Sequence, residues 1–268
     1  MKLRTLLSPG GLYFILLVLF LYLPIIVLIV FSFNDSSLMI LPLKGFTLKW
    51  YKALFEAKEL LKALRNSLIV GLMAAAVSTT LGTMAAIGLV RFNFPGRGLF
   101  LAVASMPMVI PYVVLGVALL ILFGSLGIPL SLWTVGIGHV IIDVPYVILI
   151  VAARLAGFPS SLEEAAMDLG ATYWETLFRV TLPICAPAIL SGFLSSFTTS
   201  FDEFAVSFFL TGTQTTLPIY LYSQLRFPSR LPIVVTLAAV VMIVSMALLV
   251  FSEWLRAKGQ SQTGKRMV

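Results

Sequence analysis

Four acidic residues, Glu163, Glu164, Asp168 and Glu175, crowd into one short polar stretch, and Asp202 and Glu203 stand side by side in an otherwise uncharged run. His139 and Asp143 lie four apart in a third, largely apolar region. Carboxylates in such surroundings attract a cation, relay a proton or pair with another group, because charge at membrane depth is costly and defaults to a functional role. Other chemistry is poorly provided for. With one histidine and one cysteine, Cys185, the chain has no His/Cys cluster at metal-ligand spacing and no intrachain disulfide, so no metal site is expected. No G-x-x-x-x-G-K-[ST] loop is present to hold a nucleotide. Neither a paired-aspartate motif on two helices nor a Ser/His arrangement in a glycine-rich loop suggests an intramembrane enzyme. The net charge of +7 is not laid out as a basic groove interleaved with aromatics, which argues against a nucleic-acid partner.

The elements that position these residues follow from where charges are missing. Hydrophobic residues make up 60% of the 268-residue chain and charged residues 11%, against roughly 45–50% apolar in soluble domains, so an all-α polytopic membrane protein is expected. A bilayer core takes roughly 20 apolar residues per helix. The charge-free intervals then predict six transmembrane helices near residues 12–33, 67–89, 99–123, 134–153, 184–210 and 232–254. The turn signal Gly124-Ser-Leu-Gly-Ile-Pro129 separates the third from the fourth. Pro24, Pro107, Pro111, Pro145 and Pro187 fall in or beside the spans and predict kinked helices in a tight bundle. Lys2 and Arg4 precede the first apolar run in the manner of a signal peptide, but the run is too long and no small-x-small site follows, so an uncleaved first helix is expected. The expected organisation is a first helix with an amphipathic outer segment (1–65), a five-helix core (66–254) and a basic tail (255–268).

In residues 48–64, Tyr51, Leu54, Phe55, Leu61 and Leu64 keep helical spacing while Lys49, Lys52, Glu56, Glu59 and Lys62 take the other face. That pattern predicts an amphipathic helix lying on the membrane surface. Lysines and arginines divide ten against eight between the two sides, too even a split to fix the topology.

Residues 157–183 read as a helical hairpin between the fourth and fifth spans. Ser160 with Glu163, Ser161 with Glu164 and Thr172 with Glu175 all have capping-box spacing. Gly170 sits where a left-handed residue ends a helix, and Pro183 is placed to start or redirect the next span. A projecting hairpin of about 20 residues suits a groove on another protein.

Glu164-Ala165-Ala166, Gly170, Val180 and Leu182-Pro183, at these spacings, resemble the EAA loop of permease subunits of binding-protein-dependent ABC importers, with Val where Ile is usual. Gly45-Phe-Thr-Leu-Lys-Trp-Tyr51, Asn66-Ser67, Ser200-Phe-Asp-Glu-Phe204 and Phe209-Leu-Thr-Gly212 are similar to the spermidine/putrescine-type branch, in particular its second permease subunit. The resemblance implies a type I ABC importer permease fold in a bacterial inner membrane, with both termini and the EAA loop cytoplasmic. It implies as partners a second homologous permease, two cytoplasmic ATPases and an external substrate-binding protein. No cofactor would be bound by this chain, since ATP and Mg belong to the ATPases. Glu163, Glu164, Ala165, Ala166, Asp168, Gly170, Leu182 and Pro183 are then the implied ATPase-coupling residues. ATP-driven closure would move the short helix at 163–169 and switch the bundle between outward and inward access. The implied solute is a polyamine. An organophosphonate, an opine or amino-acid derivative, thiamine or iron is the alternative within the class. A stand-alone secondary transporter would need its own coupling site and preferably an internal repeat, and no convincing repeat is seen.

On the fifth predicted helix, Leu190, Phe193, Leu194, Phe197, Phe201 and Phe204 form an apolar stripe, with Ser191, Ser195, Thr198, Thr199, Asp202 and Glu203 on the other side. Counted from Pro187, Asp202 lies about 22 Å along the axis, in the outer half of the core. Asp202, Glu203, Ser195, Thr199 and Phe201 are therefore the expected solute path. The alternative is that small and hydroxyl residues merely pack this helix, with the acids at a wet outer mouth or paired to Arg226 or Arg230. Tyr112, Phe201 and Phe204 offer ring faces for a cation, or packing. His139 and Asp143 share a helix face, where a buried hydrogen-bonded structural pair is expected and a proton relay is the alternative.

Overall fold

The computed structural model describes residues 9–37, 40–243 and 246. Lys2 and Arg4, the end of the sixth expected span and the 255–268 tail lie outside the described residues. The chain divides into two compact units, one formed by Glu59–Tyr220 and the other by the segments on either side of it. The described residues contain helices and no strand, with a single isolated antiparallel bridge between Asn34 and Phe46.

In the unit that combines the chain's two ends, helix α1 (Pro9–Ser32) is apolar on every face and its hydrophobic window is not buried in the chain at all. Its end is fastened by polar contacts. Ser32 Oγ donates to the Ile29 carbonyl at 2.6 Å and lies 2.7 Å from the Tyr51 hydroxyl. Trp50 Nε1 donates to the Asn34 carbonyl at 2.9 Å, the Asn34 side chain accepts the Lys44 N–H at 3.1 Å, and Lys49 pairs with Asp35. These bonds seat helix α2 (Lys49–Glu56) against the end of α1. The helix Pro228–Ile243 joins the same unit, its Thr236 hydroxyl lying 3.4 Å from the Ser32 carbonyl.

The amphipathic helix expected over residues 48–64 is broken at Ala57, which takes a non-helical ψ of 81°. Lys58 opens a new 34-residue helix, α3 (Lys58–Arg91), that continues through the second predicted span. Past the break, Leu60 and Ala63, each 1% exposed, face inward, while Lys58, Glu59, Leu61, Lys62 and Arg65 are exposed, so the amphipathic pattern persists in the first turns of α3.

The third predicted span is also divided. Helix α4 (Arg97–Ser105) leads through a 3-10 turn at Met106–Met108 into helix α5 (Tyr112–Ser125), and the pair bends by 103°. Pro107 and Pro111 account for the break, because neither can donate to a helical ladder, and Pro111 itself takes a non-helical ψ of 131°. After α5, Gly127 adopts a φ of 66° and the Ile128 N–H returns to the Phe123 carbonyl at 2.9 Å, so the predicted turn is a glycine-terminated helix end. Helix α6 (Leu132–Ala156) follows, opened by a Ser131/Thr134 capping box. Helix α7 (Ser161–Asp168), helix α8 (Tyr173–Thr176), a π turn at Leu177–Thr181, helix α9 (Leu182–Asp202) and the short helix α10 (Ala205–Leu210) complete the unit before α11 (Leu217–Gln224).

Among the described residues four helices are long and apolar enough to cross a membrane, or five if the bent α4–α5 pair is one span. Six spans were expected, and the sixth is described only over Pro228–Ile243.

Helix α6 is the centre of the 59–220 unit. One end contributes Val135 and Ile142 to a core with Val70, Leu119, Phe123, Val206 and Leu210, and the other contributes Val147, Val151 and Leu155 to a core with Ala86 and Cys185. Close approach depends on small residues, as is usual between helices in lipid. A Cβ on Gly82 would lie 2.6 Å from Val147 Cβ and 3.2 Å from the Val144 carbonyl. Gly82→Ala is expected to destabilise the bundle by about 1–3 kcal/mol, read as a lower Tm of the purified protein. Val147→Ala in the same chain should recover part of the loss; failure to do so would place the strain elsewhere.

Candidate functional site

The hairpin at 157–183 is organised around Glu163. The first expected capping box is absent: Ser160 has helical dihedrals (φ −61°, ψ −23°) and makes no side-chain cap bond. Glu163 turns away from it. One carboxylate oxygen lies 2.8 Å from Nε of Arg91, the last residue of α3, and the other accepts the Thr181 hydroxyl at 2.6 Å. Arg91 itself lies over the Phe158 ring, 5.4 Å from its centroid. One carboxylate thus joins α7 to the end of α3 and to the segment that leads into α9.

Beyond α7 the local signals are realised. The Gly170 N–H bonds to the Met167 carbonyl at 2.9 Å and the Ala171 N–H to the Ala166 carbonyl at 3.1 Å, with Gly170 at a φ of 92°. This is a Schellman ending, which only glycine makes without strain. Thr172 and Glu175, the third of the expected pairs, do form a capping box, the Thr172 N–H donating to the Glu175 carboxylate at 2.9 Å and the Glu175 N–H to the Thr172 hydroxyl at 3.3 Å. Leu182 and Pro183 start α9, preceded by the π turn in which the Leu182 N–H reaches back to the Leu177 carbonyl. Pro183 has no N–H for the ladder, so the register shifts just ahead of it. Glu164, Ala165, Asp168 and Gly170 are exposed, Ala166 is half-buried, and Leu169 projects with 90% of its surface free.

On α9 the polar side is present. Ser191, Ser195, Thr198 and Thr199 line a shallow groove of about 560 Å³ together with Pro187, Leu190 and Leu194. Phe201 is half-buried and packs on Phe197 at 5.9 Å between ring centroids.

The helix does not run on to Leu210, and the carboxylate pair is split. Asp202 is the last residue of α9 and is exposed. Glu203 takes an extended ψ of 120°, is 6% exposed, and turns inward. Its carboxylate accepts the N–H groups of Val206 at 2.8 Å and Ser207 at 2.9 Å, capping α10, and lies 3.3 Å from His139 Nε2. Phe204, placed on the apolar stripe of one continuous helix by periodicity, instead precedes α10.

The expected His139–Asp143 hydrogen bond is not formed. His139 Nδ1 lies 2.6 Å from the Ser200 hydroxyl and Nε2 lies 2.9 Å from the Ser207 hydroxyl, so both ring nitrogens are engaged across α6, α9 and α10. Spacing of four along one helix brings two residues to the same face, but the better partners came from helices distant in sequence. Both Asp143 oxygens are left without a hydrogen bond. The capping role of Glu203 had a legible signal, an acid just before the largely apolar stretch Ala205–Leu210; the tie to His139 had none.

Comparison with known proteins bears on this arrangement. Residues 78–258 match the family described as binding-protein-dependent transport system inner membrane component. The chain is 36% identical over 247 residues to the spermidine/putrescine transport system permease protein PotC of Escherichia coli (strain K12), covering 91% of this chain and 93% of that protein. It is 39% identical over 215 residues to the putrescine transport system permease protein PotI of the same organism, covering 77% of this chain and 76% of that one. In structure it is similar to a chain of a bacterial ABC transporter involved in the import of the acidic polysaccharide alginate, with a TM-score of 0.72 at 17% identity, covering 96% of this chain and 98% of the other.

Proposed function

The chain belongs to the family of binding-protein-dependent transport system inner membrane components, and we propose that the solute it carries is a polyamine. It is a transmembrane permease subunit of an ATP-driven importer. The observation that carries the solute assignment is the 36% identity to a spermidine/putrescine permease across 91% of the chain. The polar face of α9 is compatible with it, ending in the exposed carboxylate of Asp202.

The chain works as half of a translocation path beside a second homologous permease, in a bacterial inner membrane, with both termini in the cytoplasm. It catalyses no reaction of its own. Two ATPases dock on the 157–183 hairpin from the cytoplasm, and a binding protein delivers solute to the other side. Glu164, Ala165, Asp168 and Gly170 are the docking face, which their exposure supports. Glu163 is the inward anchor, and Leu182 and Pro183 pass the motion to α9. Ser195, Thr199 and Asp202 line the solute path, with Phe201 beside them; Glu203 acts by holding the break in the helix. The 66–254 segment is the permease core, flanked by the 1–65 segment and the 255–268 tail.

The test is to assemble the importer with its binding protein and measure which solutes stimulate ATP hydrolysis and enter proteoliposomes. Stimulation and uptake with putrescine or spermidine are expected; stimulation only by a phosphonate, thiamine or iron would replace the solute assignment. Coupling has a separate test. Gly170→Val forces a β-branched residue into a left-handed conformation, at a cost of about 1–2 kcal/mol. It reshapes the hairpin without touching the bundle, since no atom lies within 4 Å of a Cβ built there. The expected result is a chain that still inserts and assembles but carries far less solute per ATP. Wild-type uptake per ATP would remove this turn from the coupling path.

A further inference from the structure

Asp143 is the twelfth of the 25 residues of α6, near the middle of a candidate span, and is 1% exposed. Neither of its carboxylate oxygens has a hydrogen-bond partner, and it takes no part in the ion pairs among the described residues. The nearby histidine is not available to it, since both His139 nitrogens are held by serine hydroxyls. A buried carboxylate without partners is expensive and calls for a group that completes it.

The groups around it point to what that is. Tyr146 is three residues on and shares its helix face. The hydroxyls of Tyr146 and Tyr112 are hydrogen-bonded at 3.3 Å, a long bond for two hydroxyls. Tyr112 is the first residue of α5, just past the 103° bend, and its hydroxyl is within electrostatic reach of both Asp143 and Glu203. Both tyrosines are half-buried. Helix α6, which carries Asp143, packs against the Met106–Met108 turn and against α9 and α10, the two helices that flank the break at Glu203–Phe204. Irregular backbone within a membrane bundle is tolerated only where it is buried in protein or lines a path.

We propose that Asp143, covered by the Tyr112–Tyr146 hydroxyl pair, is a binding point for a primary ammonium group of the transported solute, reached when the two tyrosines part. The site rests on the polyamine reading. The carboxylate supplies the counter-charge and the two hydroxyls supply acceptors, so that an ammonium with three N–H donors is satisfied by three oxygens. The aromatic rings add a weakly attractive wall for the cation.

The experiment uses the assembled importer in proteoliposomes with its binding protein, following labelled putrescine and spermidine beside ATP hydrolysis. Asp143→Asn removes the charge but keeps the shape, and is expected to lower uptake per ATP about tenfold, the loss of one charge-assisted contact. Asp143→Glu restores a carboxylate and is expected to recover part of that loss. A site that serves packing alone would respond the other way, because the added methylene overpacks a buried position. Should Asp143→Asn not assemble, Tyr112→Phe with Tyr146→Phe keeps both rings and is expected to lower uptake per ATP about threefold or more. Wild-type uptake per ATP in Asp143→Asn, or in the double tyrosine variant, overturns the site while leaving the polyamine reading intact. A wild-type importer that hydrolyses ATP and carries neither amine overturns that reading, and the ammonium site with it.

Discussion

Replacing Glu163 by alanine is expected to yield an importer that spends ATP with little solute carried. Glu163 is the one side chain of α7 tied to two other elements, through Arg91 at 2.8 Å and Thr181 at 2.6 Å. If the hairpin is the coupling surface proposed above, motion imposed on its exposed face is expected to reach α3 and α9 through that carboxylate. Its loss also leaves the Arg91 guanidinium largely out of water, since the side chain is only 17% exposed. The remaining contacts, a 3.5 Å bond to the Phe158 carbonyl and the Phe158 ring, do not replace an anion. Breaking such a pair costs about 3 kcal/mol, the lower end of the range for buried pairs because some solvent reaches this one. Uptake per ATP in proteoliposomes should fall by about tenfold or more, consistent with an effect of that size. Glu163→Gln, which keeps an acceptor for Thr181, should fall between alanine and wild type. Equal coupling in all three chains would mean that the motion travels by backbone contacts alone.

Arg91 and Glu163 also illustrate what could be read from sequence. Thr172 with Glu175, and Gly170 with its returning N–H groups, are settled within a few residues, and there the local signal and the structure agree. Ser160 with Glu163 has the same spacing and fails, because Glu163 finds a guanidinium 72 residues away in the chain. The bend at Pro107 and Pro111 carried a local cause and was foreseeable as a kink, though not as a 103° reversal. The interruption at Ala57 had no breaker residue, Gly or Pro, to announce it. Spans of a membrane protein are legible because hydrophobic length is a one-dimensional property. Which hydroxyl or carboxylate meets His139 is a three-dimensional one. Asp202 and Glu203, which read as one polar patch in the sequence, are likewise separated only in three dimensions, one exposed at the end of α9 and the other turned inward.

Asp202→Asn and Glu203→Gln should therefore give different phenotypes, although the two residues are neighbours and both changes remove one charge. Asp202 is exposed at the end of α9 and holds no other part of the chain among the described bonds. Its neutralisation should lower uptake of a dication with no more than a small change in Tm, since surface substitutions away from structural features fall within about 0.5 kcal/mol. Glu203 is 6% exposed and accepts two backbone N–H groups at the start of α10 while facing His139. Glutamine offers one acceptor oxygen where the carboxylate offers two, so one amide loses its partner and the His139 contact loses its counter-charge. Hydrogen bonds to charged groups contribute about 1.5–3 kcal/mol each, which predicts a Tm loss and poor assembly for Glu203→Gln, with uptake falling in proportion to the assembled fraction. Normalising uptake to assembled complex separates the two: Asp202→Asn should remain defective and Glu203→Gln should recover. If both remain equally defective after normalisation, the two acids act together on the solute, and the inward turn of Glu203 describes only one state of the transport cycle.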